Sequence, residues 1–452
     1  MDVILPGTSF VFQVLGNTKY TTKTKFIKSI FNLEININEN LLIYNTLSKS
    51  LVLLNEQEKE MYINNIKNKK ICEFLVDKCM LVEEGKNEIL LCEQIRVLAK
   101  QFNYETSCIC NYTILTTTDC NARCFYCYEK ELKKINMNDS IAYAVSNFIS
   151  KHCAERNIKL NWFGGEPLFN ASAIDTICKN LKENSIDYTS SMVSNAYLFN
   201  DELIYKAKKL WNLKKVQITL DGTETIYNKT KSYIYSDCKN PFLKVIENIE
   251  KLMKNDIRIA IRLNVTDNNI ADLNNLIDFL SMRLKDYNNF YVYTGVVIDY
   301  SNIATIWNCN KRNKIIEERN KLEEKIYNLG LKHKNGLLDG VKVNQCLADD
   351  DSSIVISPSG EICKCEHLTE GPFIGDVLSD KIDYAKAESW KVRHPKSELC
   401  ETCVYYPLCI RLEKCPAFRN FKCNQYEQSQ YIMNLKLSVL NVYRNWCNER
   451  NI

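Results

Sequence analysis

The chain has 452 residues, 45% of them hydrophobic and 25% charged, which suits a core-forming protein of about three domains of roughly 150 residues each. Its formal net charge of +4 comes without a long basic run, which argues against a nucleic-acid partner, and no apolar run approaches the ~18–20 residues of a membrane-spanning helix. Cysteine is the outlier, with 21 copies.

Residues 1–20 carry Asp2 near the start, lack a basic leading region and break their apolar stretch at Pro6 and Gly7. They do not read as a secretory signal. An odd cysteine count without an export signal points to a cytoplasmic protein whose thiols bind metal, because a reducing compartment disfavours disulfides. Further along, the apolar runs 41–45 and 51–54, separated by a polar turn, predict a β-hairpin. Helical stretches over 56–66 and 71–78 follow. The segment 1–105 is therefore expected to form a small winged-helix-like α+β module.

From 111 to 310 strand-like and helical patterns alternate. Strands are predicted at 112–116, 158–162, 191–193, 216–220, 257–265 and 290–298, with helical apolar spacing between them. Such alternation predicts parallel βαβ units, and six strands suit a partial (β/α)6 barrel over 106–310. The run Cys120-Asn-Ala-Arg-Cys124-Phe-Tyr-Cys127 falls directly after the first of these strands. Phe163-Gly-Gly-Glu-Pro167 falls after the second. Both lie at the carboxyl ends of strands, where α/β folds place their active sites. Three thiolates on one short loop can hold three irons of a [4Fe–4S] cube and leave the fourth open to a ligand. A zinc site would more ordinarily take four ligands in paired knuckles.

A charged segment, 311–340, reads as a linker helix. Over 341–427 regular periodicity fades and cysteines take over, with Cys346, Cys363, Cys365, Cys400, Cys403, Cys409, Cys415 and Cys423. Bound clusters can supply the stability such a segment lacks. The tail, 428–452, reads as a C-terminal helix.

The C-x3-C-x2-C run with Tyr126 before its last cysteine, together with Phe163–Pro167, resembles the signature of radical S-adenosylmethionine (SAM) enzymes. The resemblance implies that Cys120, Cys124 and Cys127 hold a [4Fe–4S] cluster whose open iron chelates SAM. It also implies that Tyr126, Gly164, Gly165 and Glu166 contact the cofactor, with Ser194, Asn195, Thr219 and Arg262 at later strand ends. After Asp221-Gly222 many relatives carry an Asp and an Arg, where this chain has Asn228 and Lys231.

The C-terminal cysteine order resembles the SPASM domain of radical SAM peptide maturases, which carries two auxiliary [4Fe–4S] clusters. By that resemblance Cys346, Cys365 and Cys415 bind one cluster, with Cys363 as fourth ligand or neighbour. Cys400, Cys403, Cys409 and Cys423 bind the other. Five residues separate Cys409 from Cys415, where three are usual. Anaerobic sulfatase-maturating enzymes carry an Asp base after the cysteine matching Cys365, which makes Glu366 a candidate catalytic base.

The first hundred residues resemble PqqD-like leader-recognition modules. The implied function is a radical SAM enzyme that crosslinks a ribosomally made, Cys-containing precursor peptide through a thioether. A flavodoxin or ferredoxin-type electron donor is implied with it. Formylglycine formation on a sulfatase, and a non-catalytic Fe–S electron carrier, are the alternatives.

Overall fold

The computed structural model describes residues 1–7, 24–64, 68–104, 108–153, 157–234, 238–297, 309–331, 341–342, 346–367, 370–390, 397–409 and 423–450. The chain divides into two compact units. One comprises Met1–Thr106, Lys334–Cys346 and Val392–Ile452; the other comprises Ser107–His333 and Leu347–Lys391.

In the first unit, strands β1 (Asp2–Pro6), β3 (Asn32–Ile37), β4 (Asn40–Asn45) and β5 (Ser50–Leu54) form an antiparallel sheet in the order β1-β5-β4-β3, while β2 (Phe26–Lys28) pairs with β6 (Leu81–Glu83). The predicted hairpin is β4–β5. Its strands are apolar without alternation because both faces are covered. Leu42, Tyr44, Leu51 and Leu53 pack with Leu435 and Val439 of the C-terminal helix. Leu41, Ile43, Val52 and Leu54 pack with Tyr62, Ile71 and Leu75.

Tyr62 lies on helix α1 (Glu56–Ile63), and Ile71 and Leu75 on α2 (Lys69–Asp77). A capping box starts α1, with Asn55 accepting from the Glu58 N–H and Glu58 from the Asn55 N–H. Helix α3 (Glu88–Tyr104) was not foreseen. Its buried Arg96 donates to the carbonyls of Lys342 (3.0 Å), Tyr406 (2.8 Å) and Pro407 (3.2 Å).

The second unit is built on the parallel strands β7 (Asn111–Thr117), β8 (Ile158–Gly164), β9 (Tyr188–Ser194), β10 (Leu213–Leu220), β11 (Arg258–Val265) and β12 (Phe290–Val296), adjacent in that order. All six predicted strands are present. Helices α4 (Asp139–His152), α5 (Ala171–Glu183), α6 (Asp201–Lys209), α7 (Glu224–Lys231), α8 (Pro241–Lys254) and α9 (Ile270–Arg283) lie between them in sequence. One sheet face, with Leu160, Trp162, Met192, Ile218, Ile261 and Leu263, is buried in a core that includes residues of all six helices.

The opposite face is half-buried and polar, as in a partial barrel. There Ser191 Oγ donates to Asn161 Oδ1 (2.5 Å) and Tyr293 OH to Gln217 Oε1 (2.7 Å). Helix α10 (Cys309–Asn328), expected as a linker, places Leu322 and Ile326 in the core of this unit.

The cysteine-rich stretch is more regular than its sequence suggested. Strand β13 (Ser353–Ile356) runs parallel to β7 and extends the sheet, followed by antiparallel β14 (Glu361–Cys363), β15 (Gly375–Asp376) and β16 (Lys381–Ile382). Strands of two to four residues are too short to show alternation. Helices α11 (Tyr384–Glu388) and α12 (Gln425–Arg450) complete the described strands and α-helices. No helix among the described residues is long and apolar enough to cross a membrane.

Candidate functional site

At the carboxyl end of β7 the chain enters the cysteine loop through a ladder of local hydrogen bonds. The Asp119 N–H donates to Thr117 Oγ1 (2.9 Å), and the Cys120 N–H donates to Asp119 Oδ1 (2.8 Å). The Ala122 N–H points at Cys120 Sγ (3.4 Å) and the Cys127 N–H at the Cys124 carbonyl (3.1 Å). Burial pushes the Cys120 thiol up to about 12, with Glu166 adding to the shift, and burial also raises Cys124 and Cys127. Without metal these sulfurs are protonated at neutral pH, so ligation would release protons.

Two clamps hold the loop. The first starts from Glu166, which is fully buried. Its Oε1 accepts from Ser194 Oγ (2.8 Å) and the Leu168 N–H (3.2 Å), and its Oε2 accepts from the Asn195 N–H (2.8 Å). Asn195 Nδ2 in turn donates to Asn121 Oδ1 (2.7 Å), inside the cysteine loop. Burial raises the Glu166 carboxyl to about 7, against the pull of those hydrogen bonds.

The need for glycine at 164 and 165 comes from the chain itself. A Cβ on Gly164 would stand 2.1 Å from the Thr117 carbonyl oxygen, and one on Gly165 2.1 Å from that of Asp119. The two glycines let this turn pack against the start of the cysteine loop.

The second clamp grips the other half of the loop. Tyr126 OH donates to Asp221 Oδ1 (2.7 Å), and Asn264 Nδ2 donates to both Tyr126 OH (2.9 Å) and Asp221 Oδ1 (3.0 Å). Lys231 Nζ reaches Asp221 Oδ2 (3.0 Å), Thr219 Oγ1 (2.7 Å) and Tyr126 OH (3.3 Å). The Lys231 carbonyl accepts from the Arg123 N–H (2.8 Å), and the Asn121 carbonyl from the Ile234 N–H (3.0 Å).

Arg262 stands two residues before Asn264 on the same face of β11 and packs against Gly295, where a Cβ would come within 2.6 Å of Arg262 Nε. Buried Arg262 Nε and Asn121 Nδ2 have no hydrogen-bond acceptor among the described residues.

Glu366 lies beside this site. Its carbonyl accepts from Tyr128 OH (3.5 Å), and the Tyr128 ring lies tilted against that of His367, 4.5 Å between centroids. Burial lowers the His367 imidazole, Glu366 opposes the shift, and the Arg262 charge adds to it. Cys363 is buried beside Leu115 and Val355, its thiol pushed up to about 12 by burial. Cys365 packs at the margin of the main core.

Cys346, Cys400, Cys403, Cys409 and Cys423 belong to the first unit. There Cys400 and Cys403 pack against Phe31, Leu47 and Ile95, and burial raises the Cys403 thiol. The Cys403 N–H donates to the Cys400 carbonyl (3.2 Å), and the Cys409 N–H to that of Tyr406 (3.1 Å). Cys415 lies outside the described residues.

The structure thus brings Tyr126, Glu166, Ser194, Asn195 and Thr219 into two networks on the cysteine loop, with Glu366 nearby. Sequence reasoning missed the roles of Asn121, Gly295, Tyr128 and Lys231. Of these only Lys231 gave a signal, as a basic residue at a fixed distance from Asp221-Gly222.

Among the described residues no three Cys, His, Asp or Glu side chains are arranged to hold a single metal ion. Three soft thiols on one loop, with unpartnered buried donors at Asn121 and Arg262, fit a cluster together with a polar, anion-bearing ligand.

Comparison with known proteins agrees with this reading. Residues 110–240 match the family model of a 4Fe-4S single cluster domain. A GTP 3',8-cyclase of Clostridium perfringens is 26% identical over 291 residues, covering 60% of this chain and 85% of the relative. The radical SAM cyclopropyl synthase TigE of Paramaledivibacter caminithermalis is 26% identical over 228 residues, covering 43% of this chain and 47% of the relative. Among solved structures, native anSMEcpe with bound AdoMet superposes with a TM-score of 0.58 at 15% identity, over 74% of this chain and 98% of that one. The same protein with AdoMet and the Cp18Cys peptide gives a TM-score of 0.54 at 15% identity, again over 74% and 98%.

Proposed function

We propose that this chain, a radical SAM enzyme by its fold, cysteine loop and sequence likeness, modifies a ribosomally made precursor peptide by forming an intramolecular Cys thioether. The observation that carries the reading is the three-thiol loop at the end of β7, tied by separate networks to the ends of β9 and of β10 and β11. When bound, the [4Fe–4S] cluster and SAM supply reductive cleavage of the sulfonium and hydrogen abstraction.

The rest falls to the protein. Cys120, Cys124 and Cys127 hold the cluster, and Tyr126, Gly164, Gly165, Glu166, Ser194, Asn195 and Thr219 shape the cofactor's seat. Arg262 offers its unpartnered Nε to a carboxylate in that seat, a charge-assisted contact. Closing a thioether removes a hydrogen atom from carbon, and a proton and an electron from the thiol. In this reading Glu366 takes the proton.

The electron passes to an auxiliary cluster. In this reading Cys346, Cys365 and Cys415 hold one such cluster, with Cys363 as fourth ligand or neighbour, and Cys400, Cys403, Cys409 and Cys423 hold the other. A flavodoxin or ferredoxin-type partner supplies the reducing electron. Peptide in an extended form can add to β1 or β3, each of which pairs on one side only among the described residues. That use of the sheet is the leader-recognition role assigned to residues 1–105. A fold neighbour that holds AdoMet and a peptide together supports a peptide substrate.

The test is anaerobic co-expression with a short Cys-containing peptide encoded beside this chain, followed by mass spectrometry. Loss of a pair of hydrogens per crosslink with the thiol masked is the expected result. Conversion of a cysteine to formylglycine would replace the thioether assignment.

A further inference from the structure

Lys231 is an unusual residue to find beside a thiolate loop. Its side chain is 3% exposed and that of its partner Asp221 2%, and burying a charge pair this deeply is costly unless the geometry is good and the remaining donors are satisfied. Here they are. Beyond Asp221, the ammonium donates to Thr219 Oγ1 and Tyr126 OH, while Asp221 also accepts from Tyr126 and Asn264. The backbone of the same lysine is tied to the loop through the Arg123 N–H, at 2.8 Å.

The lysine touches the loop on either side of Cys124: its backbone carbonyl accepts from the Arg123 N–H, and its ammonium reaches Tyr126 OH at 3.3 Å. Both charges of the pair lie in a dry, low-dielectric region, where each is felt strongly.

We infer that Lys231 is a positioning and charge-tuning residue of the cysteine loop, which fixes Tyr126 through Asp221 and raises the reduction potential of the cluster held by Cys120, Cys124 and Cys127. The physical sense is direct. Reduction adds one negative charge to the cluster, and a fixed buried cation favours the reduced state; the adjacent anion opposes it. The inference rests on the reading of the three cysteines as cluster ligands.

The experiment is an EPR-monitored redox titration of the reconstituted full-length protein, following the cluster signal that disappears in Cys124→Ala. It compares wild type, Asp221→Asn, and the double variant Lys231→Met with Asp221→Asn. The double variant removes both charges together and so leaves no buried ion unpaired. Asp221→Asn should raise the potential and the double variant should fall below Asp221→Asn. The gap should be at least tenfold in the reduction equilibrium, which is about 59 mV for one electron.

The auxiliary-cluster potentials serve as internal reference and should not move. Equal potentials in the two variants, at full iron content, would overturn the role assigned to Lys231. Lys231→Arg keeps the charge, so Lys231→Arg combined with Asp221→Asn should match Asp221→Asn alone; a potential as low as in the double variant would equally overturn the role. A wild-type protein with no cluster dependent on Cys124 would instead overturn the underlying reading of the loop.

Discussion

The substitution Glu166→Gln tests whether the first clamp is built as described. The carboxylate accepts on both oxygens, from Ser194 Oγ and the Leu168 N–H on one and from the Asn195 N–H on the other. An amide nitrogen cannot accept, so either orientation of the introduced side-chain amide turns a donor toward a buried backbone N–H. An unsatisfied buried N–H costs about 1–3 kcal/mol. That corresponds to a melting temperature lower by about 2–12 °C, at the ~2–4 °C per kcal/mol typical of a unit this size.

A pH signature accompanies it. Burial raises Glu166 to about 7, so between its ordinary range and about pH 7 the folded state binds a proton that the unfolded state has released. Stability from this group is therefore full at acidic pH and is lost as pH rises through about 7. Thermal melts of the iron-free wild type and variant at pH 5 and pH 8 read both effects. The variant should melt lower at both values and lose part of the wild-type fall between them. Equal stability and an unchanged pH slope would refute the clamp.

Three further outcomes follow from particular contacts. Arg262→Gln should weaken SAM binding by about 10–100-fold, the worth of one charge-assisted hydrogen bond, and Gly295→Ala should mimic it, because its Cβ displaces Arg262 Nε; isothermal titration with both variants checks this. Arg96→Ala should strip the Cys400–Cys409 segment of its anchors at Tyr406 and Pro407, lowering bound iron from about twelve to about eight per chain at four per cluster, as measured by colorimetric iron analysis. Hydrogen exchange of Asn32–Ile37 should slow when the precursor's leader segment is added, and binding without protection of β3 or β1 would remove the strand-addition proposal.

Much of the barrel was legible because its physics is repetitive. Runs such as Ile259, Ile261 and Leu263 on β11 face a helical layer and are wholly buried, so they stand out between amphipathic helices. The cysteine spacing was legible because few chemistries use it. Helix α7 was not, since it buries only Tyr227 and Lys231 and shows no apolar stripe. Helix α3 went unread although Cys92, Ile95 and Ala99, all buried, lie at helical spacing.

The site was legible as a set of positions and not as a network. Nothing in Gly164-Gly165 reveals that their missing side chains make room for Thr117 and Asp119. Nor does Lys231 reveal that it would be buried against Asp221. Such facts depend on which strand ends the fold brings together. The short strands β13–β16 were invisible for a different reason, as each contributes at most four residues and is specified by its pairing to β7 and its neighbours.

The most direct test of SAM binding at the cysteine loop is low-temperature EPR of the anaerobically reconstituted, dithionite-reduced protein with and without SAM. SAM should change one cubane signal, that signal should be absent from Cys124→Ala, and the auxiliary signals should stay as they were. Spectra identical with and without SAM in the wild type, at full iron loading, would contradict that binding.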